Sequence, residues 1–141
     1  MCGAHAAVRH LLDELHEPDV ISIVDMEAGL EHLSRGTDRH VDLLLAVAEP
    51  YFKALETARR CIELGRELNI PRVAAVANKF RSASDLHSMR KYAAAHQIDF
   101  LAEMPYEENI QSADLAGIAP ELERGNSARA AVEKIAIALE L

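Results

Sequence analysis

The sequence alternates short apolar runs with longer amphipathic stretches, and this alternation restricts the fold more than any other feature. Four runs have the length and composition of buried parallel strands. They cover residues 20–24, 41–48, 72–77 and 98–102. Strands that alternate with helices are typical of an α/β protein with a parallel sheet. We therefore predict a single domain, residues 1–141, with about four parallel strands and flanking helices.

Helical patterns separate the apolar runs. The predicted helices cover residues 4–15, 29–34, 51–68, 82–96, 107–116 and 127–139. Ser82 and Asp85 have the spacing of a capping box, which marks the start of a helix. Two helices have a clear apolar face. We predict as inward-facing Leu55, Ala58, Ile62, Gly65 and Leu68 in one, and Val132, Ile135, Ala136 and Leu139 in the other.

Composition and charge narrow the class of protein. A length of 141 residues allows one hydrophobic core. The formal net charge of −8, without a sustained basic run, argues against a nucleic-acid partner. No apolar run approaches the ~18 residues of a membrane span, and the first residues lack a signal-peptide pattern. We therefore expect a cytoplasmic protein without a membrane span.

The apolar run at residues 20–24 ends in Asp25, and this junction is the first candidate site. Open α/β sheets bind ligands at the carboxyl ends of their strands. Glu27 and Gly29 follow, and glycine lets the backbone approach a phosphate closely. The set could hold a hydrated Mg²⁺ near a nucleotide. Alternatively, Asp25 caps the next helical turn and Glu27 is a solvated acid that complements the helix dipole.

The residues DMEAGLEH (25–32), followed by RGT (35–37), carry a family resemblance. They resemble the Walker B and switch II segment of the nickel-insertion ATPases that mature carbon monoxide dehydrogenase, relatives of the nitrogenase iron protein and the Min-system ATPase. The resemblance runs through nearly all 141 residues and matches the carboxyl-terminal half of the family. It implies a P-loop NTPase-like fold that binds ATP or ADP with Mg²⁺. Asp25 would hold the Mg²⁺ water shell, and Glu27 and Gly29 would belong to the switch.

Two further segments match the base-binding side of that family. Asn78 and Lys79 follow the third predicted strand, and in this superfamily an Asn at this point reads the edge of adenine. Pro105 and Tyr106, in a predicted turn after the fourth strand, resemble the loop on the other side of the base. The alternative interpretation is that all four are ordinary turn residues.

Cys2 is the candidate metal ligand. The family carries a Cys-x-Cys pair before a helix, and Cys2 matches its second cysteine, which implies Zn²⁺ or Ni²⁺ as the metal. The first cysteine has no counterpart, so Cys2 with His5 and His10 is an alternative ligand set, and an unreactive terminal thiol is another. Cys61 lies in the predicted helix 51–68 and is interpreted as a small core residue.

The chain contains no GxxxxGK[ST] phosphate-loop motif. Without it there is no nest of backbone N–H groups and no lysine to stabilise the transferring phosphoryl group. We therefore expect no ATPase activity from this chain alone, although the resemblance implies a role in nickel-centre maturation. A homodimer or a partner protein, such as carbon monoxide dehydrogenase or another metalloenzyme, is expected. The alternatives are a non-enzymatic interaction module and a small flavodoxin-like binding domain.

Overall fold

The computed structural model describes residues 21–26 and 41–139. Its sheet has three parallel strands in the order β1-β2-β3, and four helices flank it. The strands are β1 (Leu43–Ala48), β2 (Arg72–Phe80) and β3 (Phe100–Pro105). The helices are α1 (Phe52–Glu67), α2 (Ala83–Ala95), α3 (Glu108–Ala116) and α4 (Ser127–Ala138). The predicted α/β class with a parallel sheet is confirmed.

Helices cover both faces of the sheet. On one face, small strand residues such as Ala48 and Ala75 pack against Ile62 of α1 and Met89 of α2, and all four are buried. On the other face, Val76 and Ala102 pack against Ala131 of α4. Small side chains on the strands let the helices pack closely against the sheet.

Gly65 lies where α1 packs closely against the sheet. A Cβ atom at this position would lie 2.8 Å from Leu44 Cδ2 and 2.9 Å from Val73 Cγ1. Both distances are shorter than van der Waals contact, so the position accepts no side chain without movement of a neighbour. The predicted inward face of this helix is confirmed at Leu55, Ala58, Ile62 and Gly65, which are buried.

The predicted inward face of the last helix is wrong in part. Val132 is 47% exposed, whereas Ala128 and Ala131 are buried against the sheet and Ile135 is half-buried beside them. The small residues at 128 and 131 allow closer contact with β3 than the branched Val132 would. The buried side of this helix therefore includes Ala128 and Ala131 in place of Val132, while Ala136 and Leu139 are half-buried.

The first predicted strand, residues 20–24, is not found in its described part. Residues 21–26 have irregular backbone, and Ile21 and Ile23 are 63% and 88% exposed. An apolar run becomes a strand where another strand accepts its backbone hydrogen bonds, and none of the described strands pairs with this one. The predicted helices at 4–15 and 29–34 lie outside the described residues.

The second and third observed strands extend further toward the carboxyl terminus than predicted. β2 continues through Asn78 and Lys79 to Phe80. Lys79 has a left-handed φ of 57°, and the register of β2 with β3 shifts between Asn78 and Phe80. β3 begins at Phe100 and includes Pro105, which was predicted to lie in a turn. Pro105 is the last residue of an edge strand, where proline is tolerated.

Candidate functional site

The carboxyl ends of β2 and β3 meet at a cleft. In the strand register, Asn78 lies beside Met104 and Phe80 lies beside Pro105. An open cleft of about 350 Å³ lies at these strand ends. Its lining residues are Phe80, Arg81, Ser82, Ala83, Pro105 and Tyr106. The structure therefore places the predicted site residues Pro105 and Tyr106 in one concave site at the expected edge of the sheet.

Tyr106 is held at both ends. Its backbone N–H donates to the carbonyl oxygen of Phe80 at 2.9 Å, which joins the ends of the two strands. Its hydroxyl donates to Oε1 of Gln111 on α3. These two hydrogen bonds fix the position and the tilt of the ring in the cleft wall.

Arg81 covers one face of the Tyr106 ring. The guanidinium carbon lies 3.4 Å from the ring centroid, a distance of direct stacking. The backbone of Arg81 is fixed, because its N–H donates to Oδ2 of Asp85 at 3.0 Å. Sequence reasoning identified the capping box but missed Arg81. The available signal was a basic residue between the end of a strand and the start of the next helix.

The predicted capping box is confirmed, and it shapes the cleft floor. The Ser82 N–H donates to Asp85 Oδ2 at 3.0 Å, and the Asp85 N–H donates to Ser82 Oγ at 3.1 Å. The hydrogen bonds from the backbones of Arg81 and Ser82 lower the pKa of the Asp85 carboxyl. The first turn of α2 is thereby held in place beside the cleft.

Asn78 lies near the cleft without lining it. It is half-buried on β2, two residues from Val76 and therefore on the same face of the sheet. Its side-chain amide makes no hydrogen bond with another residue of the described part of the chain. Reading of a base edge requires both the donor and the acceptor of such an amide, and neither is occupied by a residue of the described ranges.

Lys79 forms an ion pair with Glu49, a residue outside the lining of the cleft. Its Nζ lies 2.8 Å from Oε1 of Glu49, just after β1, and this hydrogen bond raises the pKa of Lys79. The pair is largely exposed, so its contribution to stability is small. It links the ends of β1 and β2 beside the cleft.

Of the residues predicted to bind Mg²⁺ or another metal, the structure describes only Asp25. Asp25 is exposed in the irregular segment 21–26, whereas Glu27, Gly29 and Cys2 lie outside the described residues. Mg²⁺ keeps several waters and takes one or two carboxylates, so an exposed Asp25 suits one such ligand. Among residues 21–26 and 41–139, no three His, Cys, Asp or Glu side chains converge to hold a metal ion.

Length and apolar character decide whether any of the described helices can cross a membrane. None of them is long and apolar enough to span a membrane.

Relatives of known sequence match most of this chain. It is 40% identical over 119 residues to the carbon monoxide dehydrogenase accessory protein CooC of Rhodospirillum rubrum, covering 84% of this chain and 44% of that protein. It is 31% identical over 119 residues to an uncharacterised ATP-binding protein of Methanocaldococcus jannaschii, covering 83% of this chain and 47% of that protein. The chain thus spans about half the length of these curated relatives. No protein-family model matches the sequence.

Solved structures share the fold. The MinD cell division protein of Aquifex aeolicus superposes with a TM-score of 0.75 at 16% identity, over 96% of this chain and 60% of that one. A ParA family ATPase from Chlorobium tepidum TLS superposes with a TM-score of 0.54 at 18% identity, over 79% of this chain and 47% of that one. At these identities the likeness concerns the fold alone, and it confirms the predicted P-loop NTPase-like architecture.

Proposed function

We propose that this chain carries the base-binding side of an adenine-nucleotide site. The chain belongs to the family of the carbon monoxide dehydrogenase accessory protein CooC, to which 84% of its residues align. The nucleotide would serve an accessory step in the maturation of a metalloenzyme. Carbon monoxide dehydrogenase, or another metalloenzyme with a nickel centre, is the proposed partner. The ATP-binding relative from Methanocaldococcus jannaschii supports adenine nucleotide as the ligand class.

The cleft at the ends of β2 and β3 is the observation that carries this proposal. A fixed aromatic ring, Tyr106, lines it. Asn78 lies nearby on β2 beside Met104, and its amide makes no hydrogen bond with another described residue. Small-molecule sites are typically concave, with a few polar groups that fix the orientation of the ligand. An adenine base would stack in the cleft and present its polar edge toward Asn78.

Asp25, Glu27 and Gly29 are the proposed phosphate side of the site. Asp25 would hold a water of a hydrated Mg²⁺, and Glu27 and Gly29 would respond to the terminal phosphate. The sequence contains no phosphate-loop motif, so these residues alone cannot stabilise a transferring phosphoryl group. We therefore propose that the chain contributes to binding and that it does not hydrolyse ATP by itself.

Titration with ADP tests the proposed site. Micromolar affinity corresponds to roughly −8 kcal/mol, and we expect weaker binding because only part of a nucleotide site is present. Calorimetry or NMR titration should detect binding that is weakened in Asn78→Ala. The matched control is Asn109→Ala, since the Asn109 amide donates to the carbonyl of Glu121 outside the cleft. Equal ADP affinity of wild type and Asn78→Ala would contradict the role of Asn78.

The proposed metal site has a separate test. Elemental analysis of purified wild type and Cys2→Ser should show little bound Zn²⁺ or Ni²⁺ in either, because one cysteine supplies few of the four ligands of a closed site. A stoichiometric metal that is lost in Cys2→Ser would instead show that Cys2 anchors a metal site.

A second candidate function, an interaction module, is favoured by exposed apolar side chains. Ile21 and Ile23 are exposed, and Val47 on edge strand β1 is 60% exposed. Exposed apolar surface beside a strand edge favours association with another chain. Light scattering at micromolar concentration should show a dimer that is weakened by Val47→Lys. A monomeric wild type would argue against the homodimer.

A further inference from the structure

We propose that the guanidinium of Arg81, backed by the ring of Tyr106, is the platform on which a purine base stacks. This inference rests on the proposed function, because it assigns a residue to the base-binding cleft. It differs from a role as a simple cation near the phosphates, because it requires the planar shape of arginine as well as its charge.

The geometry leaves the guanidinium as the accessible planar group of the cleft. Three planar side chains line it: Phe80 packs against the core, and Tyr106 has one face covered by Arg81 at 3.4 Å. The third is Arg81 itself, which is exposed. Because Arg81 is exposed, a base that enters the cleft can stack on the face of the guanidinium that is turned away from Tyr106. Nucleobases stack on arginine planes as well as on aromatic rings.

The surroundings hold this platform in place. The backbone of Arg81 is anchored by Asp85, and the ring behind it is anchored by Phe80 and Gln111. Within residues 21–26 and 41–139, the guanidinium makes no direct ion pair, although its charge helps to lower the pKa of the Asp85 carboxyl. In a chain with a net charge of −8, this cation is also suited to attract an anionic nucleotide.

The test separates stacking from charge by using two probes and two variants. Adenosine carries the base without phosphate, and inorganic pyrophosphate carries the charge without a base. Binding is followed by NMR, with the backbone N–H resonance of Ser82, which lines the cleft and is present in wild type and in every variant, as the local reporter. Arg81→Ala removes both plane and charge, whereas Arg81→Lys keeps the charge. The matched control is Arg124→Ala, since Arg124 is exposed in the loop before α4.

We expect adenosine affinity to fall about ten-fold in both Arg81→Ala and Arg81→Lys, the magnitude of one base stack, and to stay unchanged in Arg124→Ala. Equal or tighter adenosine binding by Arg81→Ala would overturn the inference while leaving the proposed function intact. So would a loss confined to pyrophosphate. If wild type binds neither adenosine nor ADP, both the inference and the proposed function fail. Circular dichroism of each variant confirms that it is folded.

Discussion

The hydroxyl of Tyr92 on α2 donates a hydrogen bond to Oε2 of Glu56 on α1 across 2.7 Å. The same carboxylate accepts hydrogen bonds from Arg59 at 2.6 and 2.8 Å and from Arg60 at 3.0 Å. Chiefly because of the bond from Arg59, the pKa of Glu56 lies far below its usual range. Burial and the bond to Glu56 raise the pKa of Tyr92. One ionised carboxylate thus joins the two helices on this face of the sheet.

The first prediction concerns the pH dependence of this junction. The folded-state pKa of Glu56 is lowered, so its stabilising contribution is present above the unfolded-state pKa and is lost as the pH falls. We expect Glu56→Gln to unfold more easily than wild type at about pH 7, with a difference that narrows below about pH 4. Denaturant unfolding across this range measures the difference. Glu123→Gln, on an exposed loop, is the control; a gap that widened in acid would contradict the prediction.

The second prediction concerns packing at Gly65. Gly65→Ala should destabilise the fold by about 1 to 2 kcal/mol, because overpacking against Leu44 and Val73 outweighs the gain in helix propensity. Chemical denaturation measures the loss. Combining the change with Val73→Ala should recover part of it, since the shorter side chain makes room for the new methyl group. Strict additivity of the two changes would show that the predicted clash does not occur.

The third prediction concerns the reactivity of Cys61. Burial raises the pKa of its thiol, so the fraction of reactive thiolate at neutral pH is small. In a Cys2→Ser background, Cys61 should react with a thiol reagent more slowly than a free cysteine in a short peptide. Denaturant should remove the difference. Peptide-like rates in the native protein would mean that α1 opens readily around this side chain.

The fourth prediction concerns catalysis. Purified chain should show no ATP turnover, because it has no phosphate loop. A coupled phosphate-release assay provides the measurement, and Asp25→Ala serves to identify contaminating activity, which would be equal in both preparations. Turnover that Asp25→Ala abolishes would show that this chain hydrolyses ATP by another arrangement.

The sequence was informative where a local pattern determines the structure. The helical spacing of Leu55, Ala58 and Ile62 predicted the buried face of α1, and the pair Ser82 and Asp85 predicted the start of α2. Both features depend on residues three or four positions apart. The prediction of an α/β parallel sheet succeeded for the same reason, because each apolar run and each helix leaves its own local pattern.

Features that depend on distant partners were beyond the sequence. Residues 21–24 have strand-like composition, but composition does not reveal whether another strand accepts their hydrogen bonds. The left-handed Lys79 and the shifted register beside it arise where β2 meets β3. In the cleft, the motif pointed to Pro105 and Tyr106, whereas Arg81 became visible as a site residue only through its contact with the Tyr106 ring.

The sequential strand order also governs how the chain can form its sheet during synthesis. β2 pairs with β1 and β3 pairs with β2, so each strand meets a partner that the ribosome has already released. The sheet can therefore grow in the order of translation, at about 5–20 residues per second. The helix α4, which covers Val76 and Ala102, follows β3 in the chain. After β3 has left the ribosome and before α4 has followed, this apolar face of the nascent sheet is uncovered and accessible to chaperones.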